Sequence, residues 1–173
     1  MKKLAFSRRI TNLKESGTLK VLDKVKALQA RGIDIIQLDV GEPDMETPQN
    51  IIRAAEKALE AGFTHYTPSA GIPELRAAIA LKLRSENRIE ALQDNIIVTP
   101  GSKQALFYCI LALIDEGDEV LIPTPAWPSY LEMVTVAGGR AKLVSPENGF
   151  RLNVEGLKEA ISAKTRMIIL RLS

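Results

Sequence analysis

Ile96-Ile97-Val98-Thr99-Pro100-Gly101-Ser102-Lys103-Gln104-Ala105-Leu106 passes from an apolar β-branched run, through proline and glycine, into a helix-forming stretch. The run predicts a buried strand over Ile96–Thr99 that ends at Pro100. Gly101 allows the backbone an unusual turn, and a helix is expected from about Ser102 to Ile114. The first turn of that helix would direct backbone N–H groups, a hydroxyl and the positive end of the helix dipole at one spot. Such a spot attracts anions, and phosphate is its natural guest. In an open α/β sheet, ligands also gather beyond the carboxyl ends of strands. The same residues equally suit a capped helix with a solvated lysine. A nucleotide P-loop fits less well, because its order is Gly-Lys-Ser/Thr and the order here is Gly-Ser-Lys.

Outward from this turn, strands and helices alternate with short connections. Downstream, the pattern predicts strand Val120–Ile122, helix Ser129–Ala137, strand Ala141–Val144, helix Val154–Ala163 and strand Met167–Leu170. Upstream, Leu19, Leu22, Val25 and Leu28 form a helical stripe stopped by Gly32. Ile33 to Val40 reads as a strand broken by Gly41-Glu42-Pro43-Asp44. Thr47-Pro48 is expected to cap a helix running to Gly62, with Ile51, Ile52, Ala55 and Leu59 inward. Pro73 opens another helix, with Leu75, Ile79 and Leu83 spaced to share a face. This alternation predicts an α/β fold with βαβ layering. A soft boundary near Asp44-Met45 divides residues 1–44 from residues 45–173.

Composition narrows the function classes. With 46% hydrophobic and 25% charged residues over 173 positions, the chain resembles an ordinary globular protein rather than a disordered one. A net charge of +2 gives no broad attraction to nucleic acid or anionic lipid. Met1-Lys2-Lys3 is followed by no hydrophobic region of a signal peptide, and no window has the apolar length of a membrane helix. Cys109, the single cysteine, is expected in the core, and it fits a reducing compartment such as the cytoplasm. His65, the single histidine, lies in a polar loop without the companions a metal site needs, so no metal is expected.

Four groups of residues occur in a telling order. They are Asp39-Val40-Gly41-Glu42-Pro43-Asp44, then Tyr66-Thr67-Pro68-Ser69-Ala70-Gly71-Ile72-Pro73-Glu74-Leu75-Arg76, then Pro100-Gly101-Ser102-Lys103-Gln104-Ala105-Leu106, then Pro123-Thr124-Pro125-Ala126-Trp127-Pro128-Ser129-Tyr130. Together they resemble the class I pyridoxal-phosphate-dependent aminotransferases of fold type I, nearest the bacterial aspartate type. The similarity runs through residues 10 to 170.

The resemblance implies a three-layer αβα fold with a mainly parallel sheet. Residues 1–44 would form an N-terminal arm and part of the small domain. Residues 45–173 would form the front of the large cofactor-binding domain. It implies pyridoxal 5'-phosphate as cofactor, an α-amino acid and a 2-oxo acid as substrates, and a homodimer. Gly101, Ser102 and Lys103 match the turn that cradles the cofactor phosphate. Trp127 matches the aromatic residue stacked on the cofactor ring, where a flat π face suits a pyridinium. Tyr66 matches a tyrosine reaching the neighbouring subunit's cofactor phosphate, and Gly41 a glycine near the substrate α-carboxylate. Tyr130 is expected to pack or hydrogen-bond at its helix start.

Relatives continue past the last strand with Asn-Pro-Thr-Gly, where this sequence reads Arg171-Leu172-Ser173. The chain is therefore expected to be the front portion of such an enzyme, through frameshift, premature stop or deliberate cutting. The resemblance places the Schiff-base lysine and the substrate-gripping arginine later, so these residues alone are expected to be inactive. A related fold type I lyase shares the same front motifs, and a non-catalytic, phosphate-binding remnant is the reading outside enzymes.

Overall fold

The computed structural model describes residues 5–11, 13, 17–38, 41 and 43–171. In chain order the elements are α1 (Arg8–Thr11), α2 (Gly17–Gln29), α3 (Gln49–Glu60), α4 (Pro73–Asn87), a 3-10 turn (Gln93–Asn95) and α5 (Ser102–Leu113). They continue with β1 (Glu119–Pro123), α6 (Pro128–Val136), β2 (Arg140–Val144), α7 (Val154–Ala160) and β3 (Thr165–Ile168). Two compact units are distinguished: residues 1–39 with 106–173, and residues 40–105.

The first unit is built on a parallel three-stranded sheet of order β2-β1-β3. Parallel pairing buries a central strand on both faces, and β1 obeys this: Val120, Leu121 and Ile122 are all completely buried. Alternation then decides which helix each residue meets. Val120 and Ile122 join Ile110 and Ile114 from the α5 end, Val134 of α6 and Ile169 in one apolar cluster. Leu121 points the other way and packs with Val144 and Leu157 of α7. Helices therefore cover both faces, and the αβα layering that the resemblance implies is present. The chain runs outward from β1 to β2 through α6, then crosses back through α7 to set β3 on the other side of β1.

An ion cluster fastens the amino end of β1. Ser162 Oγ donates to Glu119 Oε2 at 2.7 Å, and Lys142 Nζ stands 3.7 Å from the same oxygen. The Ser162 hydrogen bond chiefly holds the Glu119 carboxyl below its ordinary value, with Lys142, Arg140 and Lys164 adding to it and burial opposing. Because the folded value is the lower one, ionised Glu119 favours the folded state. That contribution is complete above the usual glutamate range and disappears as pH falls through the folded value. Glu119→Gln is expected to lower the thermal midpoint at pH 7. The gap from the parent should close as pH falls through the lowered Glu119 value, which paired melting curves across pH would measure.

In the unit of residues 40–105, α3 and α4 frame a set of turns. The Arg76 guanidinium donates to Ile96 O at 3.0 Å and Gln93 O at 2.8 Å, and pairs with Asp94 Oδ1 at 3.2 Å. Val98 N donates to Ala70 O at 2.9 Å. These bonds fix the path into Gly101.

Several expectations need correction. Residues 96–99 are extended but form no strand: burial alternates, with Ile96 buried and Ile97 exposed, while a single bond to Ala70 replaces a ladder. Residues 33–38 likewise form no strand, and Ile36 and Leu38 are 88% and 92% exposed. An apolar run needs a pairing partner to become a strand, and none meets this run among the described residues; Asp39 and Val40 lie outside them. Pro48, not Thr47, occupies the cap position of α3, and its carbonyl accepts from Ile51 N and Ile52 N. Ile51 and Leu59 share the predicted apolar face of that helix but are exposed, as is Ala55. Cys109 is exposed rather than core. The packed stripe of α5 runs through Leu106 and Ile110 and on to Ile114 just past the helix end, at four-residue steps, and Cys109 lies one position off it. On α2, Val25 is buried and Leu22 and Leu28 are half-buried; nothing is described of the Leu19 side chain.

Candidate functional site

At the start of α5 the backbone does what the sequence requires of it. Gly101 has φ +94°, a left-handed conformation that a glycine adopts without a Cβ penalty. Its amide donates to Thr99 O at 2.8 Å and Thr99 Oγ1 donates to Gly101 O at 3.0 Å, so the turn is closed on itself. Gly101 O also accepts from Ala105 N at 3.3 Å, which makes it the first link of the helix. A Cβ built on Gly101 would meet nothing within 4 Å, so the space beside this turn is open. Ser102 and Lys103 follow in the first helical turn, and both are exposed. Beside this open space, a hydroxyl, an ammonium and a helix amino terminus make up a donor set that suits a phosphate group.

Tyr66 belongs to the same unit. Its side chain is fully exposed, on a loop whose end is tied down by Gly71 N to Pro68 O and by Ala70 O to Val98 N. The loop carrying Tyr66 and the segment leading to Gly101 are therefore joined through Val98. Gly41 is exposed, with nothing within 4 Å of a Cβ built on it. Its neighbours Asp39, Val40 and Glu42 lie outside the described residues.

Trp127 belongs to the other unit, just beyond the carboxyl end of β1. Thr124 anchors the approach: its N and Oγ1 donate to Val144 O at 2.9 and 3.2 Å. The Thr124–Pro125 bond is cis. Trp127 then takes the cap position of α6, with its carbonyl accepting from Tyr130 N at 3.0 Å. Tyr130 packs against the β1 cluster, in keeping with its expected structural role. The Trp127 ring is 42% exposed, and the Arg171 guanidinium stands 5.7 Å from the ring centroid.

Sequence reasoning missed two residues. Arg76 was legible only as the last letter of a motif, and its work lies in its three bonds to the turn at 93–96. Arg171 carried no signal, because its stacking depends on β3 lying next to β1.

Known proteins share this architecture. The family model for aminotransferase class I and II matches residues 33–171, and the chain belongs to this family. It is 45% identical over 167 residues to a probable aspartate/prephenate aminotransferase of Aquifex aeolicus, covering 95% of this chain and 42% of that protein. It is 44% identical to an aspartate aminotransferase of Bacillus subtilis, covering 96% of this chain and 43% of the relative. Among solved structures, an aspartate aminotransferase from Thermus thermophilus with maleate superposes at a TM-score of 0.92 with 42% identity, over 97% of this chain and 44% of that one. The chain thus spans less than half the length of the relatives it matches, and its fold is that of the corresponding part of fold type I. Among the described residues, no helix is long and apolar enough to cross a membrane.

Proposed function

We propose that this chain carries the cofactor-cradling portion of a pyridoxal-phosphate-dependent aminotransferase of aspartate type. The reaction is transfer of an amino group between an α-amino acid and a 2-oxo acid. The observation that carries this is the family match over residues 33–171, joined to the open left-handed turn at Gly101. When bound, pyridoxal phosphate supplies an electron sink for chemistry at the substrate α-carbon.

This chain's residues hold and orient it. The Gly101 turn would bring the backbone N–H groups of Ser102 and Lys103 and the Ser102 hydroxyl to the phosphate, with the Lys103 side chain adding positive charge. Trp127 offers its ring face to the pyridine. The exposed Tyr66 would reach the phosphate held by a partner protomer, with a homodimer as the working unit. Gly41 leaves room beside the substrate α-carboxylate. Residues 1–44 serve as arm and small-domain segment, and residues 45–173 as the front of the large domain. The single cysteine suits a cytoplasmic enzyme.

Equilibrium dialysis against pyridoxal 5'-phosphate tests this. A hydrogen bond to a charged group contributes about 1.5–3 kcal/mol, so Ser102→Ala is expected to weaken binding about tenfold or more. Pyridoxal without its phosphate should bind weakly and be indifferent to the substitution. Equal affinity for both compounds, or no effect of Ser102→Ala, would remove the phosphate cradle from this turn.

A further inference from the structure

We infer that a crevice beyond the carboxyl ends of β1 and β3 binds a small organic anion, a carboxylate on a short apolar body. The inference does not rest on the cofactor reading. In parallel sheets, the place where the chain reverses its direction of strand addition leaves a crevice beyond the strand ends. Here that place lies between β1 and β3. A cavity of about 410 Å³ opens there, within the usual size of small-molecule sites.

Its lining explains the choice of ligand. Arg151 and Arg171 both line it, and no aspartate or glutamate does. Neither guanidinium forms an ion pair with a carboxylate among the described residues. Two forked cations, with no carboxylate in the cavity wall beside them, suit a carboxylate, which guanidinium binds in a bidentate way. The remaining walls are largely apolar, with Phe150, Leu152 and Pro125 among them. A bare inorganic ion would leave that surface unused, whereas a hydrocarbon body would cover it.

The local fold holds these groups in place. An antiparallel bridge between Glu147 and Arg151 closes a turn, with Glu147 N donating to Arg151 O at 2.9 Å. Phe150 takes φ 60° inside it, an uncommon conformation for an aromatic residue, next to Arg151. Arg171 connects the crevice to a reporter: it lines the cavity and stacks near Trp127, the one tryptophan of the chain. An anion that engages Arg171 should draw it from the ring and change the indole emission.

Fluorescence titration of the full chain with hexanoate tests this, with hexanol and inorganic phosphate as comparison probes. Hexanoate is expected to change Trp127 emission saturably, hexanol and phosphate at least tenfold more weakly. Arg151→Gln, which leaves the tryptophan contact intact, should raise the hexanoate Kd roughly tenfold, and Arg151→Lys by less. An unchanged Kd in Arg151→Gln overturns the proposal, as does hexanol or phosphate binding as well as hexanoate. Pyridoxal phosphate affinity should not respond to Arg151→Gln, so this test and that of the phosphate cradle fail separately.

Discussion

Gly71→Ala is expected to destabilise the unit of residues 40–105 by about 2–6 kcal/mol, from two costs that add. A Cβ at this position would lie 2.6 Å from Val98 Cγ2 and 2.8 Å from Val98 Cβ. Contacts that short force the neighbour to move, and overpacking of this kind costs about 1–3 kcal/mol. The residue also holds φ +103°, a conformation costing a side-chain-bearing residue about 1–3 kcal/mol. Val98 cannot give easily, because its amide is bonded to Ala70 O. The same strain should reach the turn at Gly101, a few residues on, and weaken cofactor binding as well. Urea unfolding of Gly71→Ala, Val98→Ala and the double variant separates the two costs. The double variant should recover the overlap and keep the backbone penalty. A loss below about 0.5 kcal/mol in Gly71→Ala would show that Val98 is not where it is described.

Ile122→Ala is expected to cost about 2–5 kcal/mol, the range for emptying a packed aliphatic site. Ile122 is completely buried in the central strand, in one cluster with Ile110, Ile114, Val134 and Ile169. A domain's whole stability is about 5–15 kcal/mol, so this one truncation can bring the sheet close to unfolding. Leu143 provides the control. It lies on β2, at the edge of the three strands, and is half-exposed. Leu143→Ala should therefore cost below about 1.5 kcal/mol, since only part of its apolar surface leaves water on folding. Denaturant midpoints for the two variants decide the matter, because equal losses would contradict the strand order and the burial together.

Much of this could be read from the sequence, and the parts that could not share a cause. The helix from Ser102 and the strands at 119–123 and 140–144 were visible because local pattern and local burial agree there, while the last strand, expected at 167–170, lies two residues earlier at 165–168, where its pairing with β1 sets it. Val120, Leu121 and Ile122 are apolar in succession, as a doubly covered parallel strand should be. Gly101 announced its left-handed turn by being the only residue type suited to it. The failures come from asking a pattern what covers it. Periodicity showed that Ile51 and Leu59 share a face, but it could not say whether another element lies on that face. Ile36 and Leu38 carry strand character, yet a strand is a relation between segments. Cys109 sits in an apolar helix, and a shift of one position decided its exposure. At the site, residue types for a phosphate cradle were legible, whereas the Arg171–Trp127 stacking depends on a strand order that no local window contains.

The central claim is that the start of α5 receives the cofactor phosphate. Backbone amide spectra of the isotopically labelled chain, titrated with pyridoxal 5'-phosphate, test it most directly. The amides of Ser102 and Lys103 should move furthest and saturate together, and pyridoxal lacking the phosphate should leave them in place. If those amides stay still while the cofactor binds elsewhere, the turn at Gly101 is only a helix start and the account is wrong.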